Sequence, residues 1–341
     1  MKTKQSIDKR TISLLKGSTA KWRGIILLFA LLFTLACNCQ VPSIGGIMKP
    51  IAATNSLPEY MIITGYGISD NPVISTNFGV TWADFALNAR YYTNALSFSG
   101  QYQIVAGYQT YSFLSTDYGA TWDTILTSQN FRGTAIDSTG QHMSISYYGG
   151  YIYTSDDFGA TWNQRASGNW FGLDMNSNGE YQIASKQGNY LFVSSNYGVT
   201  WVQKGYSRTW NNVAVNSTGQ YMTAMAQNSY IYVSSDYGAT WTNKGPSKQW
   251  FGTDISSSGQ YQYAGSKDTG LLFRSTDYGA TWDTIYNGTY AFQGIKTDAT
   301  GQIVGVANNT TGYMISFDYG DTWEIYTGII TNSSSDIGFN K

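Results

Sequence analysis

One eight-residue pattern constrains this chain more than any other feature. Ser-x-(Asp/Asn)-(Tyr/Phe)-Gly-x-Thr-Trp occurs seven times, opening at Ser75, Ser115, Ser155, Ser194, Ser234, Ser275 and Ser316. The intervals are 40, 40, 39, 40, 41 and 41 residues, so the copies share one register. Periods of roughly 20–50 residues mark supersecondary units that must stack, because none buries its apolar face alone. Seven such units, in a chain with 28 Tyr and 11 Trp, predict an all-β fold. The expected architecture is a seven-bladed β-propeller of four-stranded antiparallel blades behind an N-terminal segment.

The pattern has a local physical meaning. The Asx at its third position (Asn77, Asp117, Asp157, Asn196, Asp236, Asp277, Asp318) can accept hydrogen bonds from backbone N–H groups just ahead and close a turn. The glycine two residues later supplies a positive φ, and the terminal Trp opens the next strand. This pattern resembles the Asp-box, or bacterial neuraminidase repeat, of the sialidase-like superfamily. The resemblance implies a turn between the third and fourth strands of each blade, on the face away from any ligand. The seven Asx residues are therefore expected to be structural.

A second signal, Ser-x-x-Gly-Gln-Tyr-x-x-Ala, precedes each Asp-box by 15 to 17 residues, with its glycine at 100, 140, 179, 219, 259 and 301. Pro58 takes the glycine slot of the first copy. Between the two signals each repeat offers four strands, named A to D from the axis outward. In the repeat that closes at Trp241 they fall at 213–215, 220–226, 230–234 and 241–244. Seven complete repeats give the first blade its own inner strand, at 51–54, and leave the tail from Thr327 without a set place.

The A–B turns and Asp-boxes share one face; the B–C and D–A connections share the other, variable face. Loops on a rigid scaffold carry function more often than the scaffold does, so the variable face is where a ligand is expected. Nine residues before each marker glycine an aromatic recurs: Tyr91, Phe131, Trp170, Trp210, Trp250 and Phe292. Two readings stand side by side: a stacking platform around the channel mouth, or packing against the adjacent blade. The D–A connections supply cations, among them Arg90, Arg132, Arg208 and Lys248, which suit an anionic ligand or simply keep loops solvated. Five residues before the marker glycine, Ala53, Ala95, Ala135 and Ala214 give way to Asp174, Asp254 and Lys296. Asp254 and Lys296, in consecutive blades, are placed to form an ion pair near the axis, and Asp174 and Asp254 are equally candidates for contact with a ligand in a wet channel.

Residues 1–50 hold eight Lys/Arg and one Asp, whereas the remainder holds twelve Lys/Arg against twenty Asp/Glu. An acidic body without a basic stripe speaks against nucleic acid as the partner. The apolar run 24–36 is thirteen residues long, shorter than the roughly 20 that span a bilayer. Residues 1–40 accordingly read as a signal peptide, a lipoprotein signal ending at Cys37, or a retained anchor, with the propeller at 41–341. Each places the propeller outside the cytoplasm, secreted or at a cell surface, with membrane contact through that segment only. Both cysteines, Cys37 and Cys39, lie there, so no metal or cofactor is expected in the ring.

Sialidases are the best-known Asp-box enzymes, and this chain departs from their pattern. Its prolines follow Val41, Lys49, Leu57, Asn71 and Gly245, so there is no Arg-Ile-Pro. Glu59 and Glu180 sit in the A–B turn, and Glu324 follows an Asp-box Trp. His142, the single histidine, takes the Tyr slot of a marker signal. No catalytic residue is assigned. In size and blade count the chain resembles the photosystem II assembly/stability-factor type of propeller over about residues 50–327, which implies a binding scaffold. The expectation is a monomeric, non-catalytic module that recognises a glycan or protein on its variable face. The alternative is a divergent sialidase-like glycoside hydrolase using Asp174 or Asp254, since such chemistry needs two carboxyl groups facing one pocket.

Overall fold

The computed structural model describes residues 60–340, apart from 66, 68–70, 78, 86–88, 310–311 and 331–333. The N-terminal signal or anchor and the inner strand expected at 51–54, with Ala53, lie outside the described residues. Among the described residues every strand pairing is antiparallel and no segment is helical.

The 40-residue register becomes seven blades. The repeat that closes at Trp241 forms the strands Trp210–Val215, Met222–Ala226, Ser229–Ser234 and Thr242–Lys248, close to the predicted segments. The two blades after it begin with Trp250–Ile255 and Phe292–Thr297. Blades two to four share one continuous hydrogen-bonded sheet. Asp123–Ile136 and Asn163–Met175 each run unbroken from the outermost strand of one blade to the innermost strand of the next. The D–A loops expected at these two seams are therefore extended strand. The B–C connections are mostly tight hairpins, with positive φ at Gln109, Gly149, Gly188 and Asn228.

The first blade corrects the sequence reading. Ser334–Phe339, from the tail, pairs antiparallel with Met61–Gly65 and so becomes its innermost strand. That edge of Met61–Gly65 is thereby filled by the tail. Gly338, opposite Ile62, takes the slot assigned to Ala53. The tail wins this place because it buries Ile337 and Phe339 between blades seven and one, against Ile303 and Tyr313. Each inner strand packs on the next, and Ser334–Phe339 touches both Arg90–Leu96 and Phe292–Thr297, so the ring closes.

The Asp-box turns behave as the pattern predicted. In the fifth, Ser234 Oγ donates to Asp236 Oδ1 (2.8 Å) and accepts from Gly238 N (3.0 Å). Asp236 also accepts from Thr240 N (2.8 Å) and Thr240 Oγ1 (2.6 Å), and Trp241 Nε1 donates to Gly238 O (3.1 Å). Asn77 and Asn196 keep the same turn by reversing one bond, their Nδ2 donating to Thr81 and Thr200 Oγ1 (2.9 Å each). The Thr121 and Thr161 hydroxyls hold the carboxyls of Asp117 and Asp157 below their ordinary pKa.

Rings of the two repeated signals meet in six pairs across blade seams. Tyr102, His142, Tyr181, Tyr221 and Tyr261 lie over Phe158, Tyr197, Tyr237, Tyr278 and Tyr319, with ring centroids 4.5–5.3 Å apart, and Tyr60 lies over Tyr118 at 5.5 Å. These Asp-box aromatics sit at φ of 59° to 64°, a left-handed conformation that disfavours side chains with a Cβ. Stacking and the Asx hydrogen bonds offset that strain. His142 is thus a rung of this ladder, its Nδ1 2.8 Å from Asp137 Oδ2. Nearer the axis, backbone bonds link the A–B turns, from Phe98 N–Ser138 O (3.1 Å) round to Ser257 N–Ala299 O (2.9 Å).

Candidate functional site: the channel mouth and throat

The inner strands converge on a central channel, and their first residues decide what lines its variable-face mouth. The six aromatics singled out in the sequence do not. Tyr91, Phe131, Trp170, Trp210, Trp250 and Phe292 are each at most 1% exposed. Five of them meet an aromatic of their own blade edge-on or tilted, as Trp210 does Tyr232 (5.1 Å) and Trp250 does Phe273 (5.2 Å), and Phe292 meets Tyr286 of the preceding blade at 5.8 Å. They are seam packing, and a ligand on the surface cannot reach their faces.

The residue after each aromatic takes the exposed place. The pairing of strands A and B slips at Tyr91/Thr93, Phe131/Gly133, Trp210/Asn212 and Trp250/Gly252. A β-bulge of this kind inserts one residue and re-aims the side chains around it. Tyr92, Arg132, Phe171, Phe251, Gln293 and Ser335 therefore line a mouth of about 440 Å³, joined by Lys267 from the B–C turn of the sixth blade. Asn211 lies just below, its Nδ2 donating to Trp250 O (2.6 Å).

Cations and rings are interleaved here. The Arg132 guanidinium sits 4.3 Å from the Tyr92 ring centroid and 5.3 Å from that of Phe171. Lys267 Nζ lies 4.9 Å over Phe251, and Phe171 meets Phe251 edge-to-face at 6.4 Å. Positive charge over an aromatic face is attracted by the ring quadrupole, more strongly when desolvated. Of the four cations proposed from sequence, Arg132 alone lines this mouth. Arg208 is turned to the hydroxyl of Tyr232 (3.2 Å) and the carbonyl of Ser207 (3.1 Å). Arg90 and Lys248 occupy strand positions opposite Tyr108 and Ser229.

Deeper in the channel lies a charged floor. The expected pair between Lys296 and Asp254 is present at 3.8 Å, with Asp254 fully buried. The carboxylates also perform a structural task. Asp174 accepts from Val215 N (2.9 Å), Asp254 from Thr297 N (2.8 Å) and Asp336 from Asn94 N (3.2 Å). Each bond crosses to the inner strand of the following blade, supplying a partner to an N–H group where no sheet ladder connects the two strands. The hydrolase alternative needs Asp174 and Asp254 as a pair opening on one pocket; instead each is turned to a different seam.

Burial works against charge on Lys296, but Asp254, Asp174 and Asp336 more than offset it and hold its pKa above the ordinary lysine value. Asp336 shows the cost of three carboxylates sharing one cation. Burial pushes its carboxyl up to about 7, against the pull of Lys296 and two backbone N–H groups, with Asp254 adding a further push. Sequence reasoning missed Asp336 and Ser335 because it did not place the tail in the ring, and missed Phe171 and Phe251 because it counted without the bulge.

A family model described as BNR-Asp box repeat matches residues 152–164, which include the Asp-box of the third blade. No curated protein sequence matches the chain. Among solved structures, one described as YCF48 bound to D1 peptide superposes with a TM-score of 0.55 at 13% identity, covering 81% of this chain and 87% of that one. YCF48 from Cyanidioschyzon merolae gives 0.54 at 12%, covering 69% and 84%. The GH74 xyloglucanase from Xanthomonas campestris gives 0.57 at 12%, and the match spans 70% of this chain but 45% of that enzyme. At these identities the likeness is one of fold: the chain is a seven-bladed propeller built from Asp-box repeats.

Proposed function

We propose that this protein is a non-catalytic binding propeller that holds a segment of a partner protein at the channel mouth. The observation that carries the reading is the mouth itself, where Tyr92, Phe171 and Phe251 alternate with Arg132 and Lys267. Aromatic and Arg side chains dominate binding hot spots, and a concave, rigidly framed patch of them is an interface without further rearrangement. The same rings favour protein over glycan: cations already lie over Tyr92 and Phe251, leaving less free aromatic face for a sugar ring to stack on. The fold-likeness to a propeller solved with a peptide is consistent with it. The charged, apolar N-terminal segment supports export or surface anchoring of the module.

Selection of peptides from a random displayed library on the full chain tests the reading. The parent protein is expected to enrich a family of segments, and Phe171→Ala and Arg132→Ala to weaken the winners at least about tenfold, the size of one hot-spot contact. Both side chains are partly exposed, so melting temperatures should stay near the parent's. Enrichment that survives both substitutions, or none at all, contradicts the mouth as the site.

A further inference from the structure

The stacked aromatics of the blade seams are not all alike. Four of the six pairs join two tyrosines: Tyr60 with Tyr118, Tyr181 with Tyr237, Tyr221 with Tyr278 and Tyr261 with Tyr319. Their centroids lie 4.7–5.5 Å apart and their planes are inclined by 31–40°. The other two pairs replace one tyrosine, with Phe158 against Tyr102 and His142 against Tyr197. These stand at the seams between blades two and three and between blades three and four. The same two seams are crossed by unbroken strands, Asp123–Ile136 and Asn163–Met175. The tyrosine pairs stand where neighbouring blades lie in separate sheets. At the remaining seam Ile303 takes the tyrosine slot, and the tail packs there instead.

We propose that the four tyrosine pairs are sites of oxidative cross-linking, which joins adjacent blades covalently through dityrosine. Residues 41–341 contain no cysteine, so a disulfide cannot serve this purpose within the propeller. Each phenol gives one electron and its O–H proton to a one-electron oxidant. The two phenoxyl radicals join through ring carbons beside the oxygens, and the hydrogens on those carbons move to the oxygens. The net change is one new C–C bond and two hydrogens lost; hydrogen peroxide, acting through a haem peroxidase, takes both and leaves as two waters. The geometry suits this step. The centroid separations are close to that of two rings joined by one bond, so coupling needs a slide of the side chains and no backbone rearrangement. Tyr118, Tyr237 and Tyr278 are 43–46% exposed, which gives the oxidant access. Other neighbouring tyrosines lack one condition or the other. Tyr92 and Tyr108, and Tyr206 and Tyr232, are 6.0 Å apart and inclined by 68° and 52°. Tyr313, stacked on Tyr326, is 1% exposed.

Treating the full chain at high dilution with a haem peroxidase and hydrogen peroxide tests this, read by dityrosine fluorescence and by mass spectrometry of proteolytic peptides. The expected products are intramolecular peptide pairs, two hydrogens lighter than their sum, that join Tyr181 to Tyr237, Tyr221 to Tyr278, Tyr261 to Tyr319 and Tyr60 to Tyr118. Tyr237→Phe keeps a stacked aromatic and is expected to lose its own link while the others form as before. Phe158→Tyr is expected to gain a link to Tyr102. A variant with Tyr118, Tyr237, Tyr278 and Tyr319 all changed to Phe, oxidised alongside, shares any collateral damage. The oxidised parent should melt at least about 5 °C above it, because each link closes a long loop of the unfolded chain. Links scattered over tyrosines outside the seams, links mainly between molecules, a Phe158→Tyr protein that gains none, or seam links that leave the melting temperature unchanged would overturn the inference.

Discussion

Deletion of residues 334–341 is expected to abolish the closed ring. The truncated chain should lose its cooperative thermal transition and become sensitive to limited proteolysis throughout. The tail strand is one of seven inner strands, and Met61–Gly65 depends on it for one edge. Its removal withdraws Ile337 (0% exposed) and Phe339 (3%) from the seam with blade seven. Each loss of a large core side chain costs about 2–5 kcal/mol, and the sum rivals the 5–15 kcal/mol that stabilises a typical domain. Lost with them are Ser335 Oγ–Tyr91 O (2.7 Å) and the bonds of Asn340 to Tyr60 and Phe98. The side chains fit closely, for a Cβ at Gly338 would collide with Asn94. A truncated protein that melts within a few degrees of the parent would show that something else closes the ring.

The second large effect is electrostatic. Lys296→Met removes the cation that Asp254, Asp174 and Asp336 share, and it is expected to cost about 3–5 kcal/mol in urea unfolding at neutral pH, the usual penalty for stranding buried charge. The loss should shrink in acid as the carboxyls protonate. The parent carries a milder version of the same dependence. Asp336 has a higher pKa folded, about 7, than its ordinary 3.8, so the folded state binds its proton more tightly. Its stabilising contribution is therefore full below the ordinary value and is lost as pH rises through about 7. Asp336→Asn should flatten that decline and recover part of the stability lost in Lys296→Met. The Asp-box carboxyls Asp117 and Asp157 carry the opposite sign, stabilising above their ordinary value and losing that contribution in acid. An Asp336→Asn protein with the parent's slope through neutral pH would remove this residue from the account.

The blades were legible because period is a property of sequence. Ser-x-Asx-aromatic-Gly-x-Thr-Trp encodes its own hydrogen bonds, so each turn formed where the pattern stood. The aromatic before the glycine was not read as a left-handed residue, because what stabilises it at that φ is a ring from the neighbouring blade, as Tyr181 is for Tyr237. The site was displaced by one residue for an equally physical reason. Alternation within strand A predicts which side chains share a face, but a bulge exists only once strands A and B are paired. Trp170 and Trp250 therefore went into the seams, and Phe171 and Phe251 came out at the mouth. Lys267 gave no repeat signal at all, since it belongs to a B–C turn, where the repeats differ in length and sequence. The Lys296–Asp254 pair, by contrast, followed from slot equivalence alone, because inner strands of consecutive blades bring equivalent positions together.

The most direct test of the central claim is a crystal structure of the full chain with a peptide selected by display. The account predicts peptide density at the mouth, in contact with Tyr92, Phe171 and Phe251 and within reach of Arg132. A peptide seated on the Asp-box face, or against the outer strands, would contradict it.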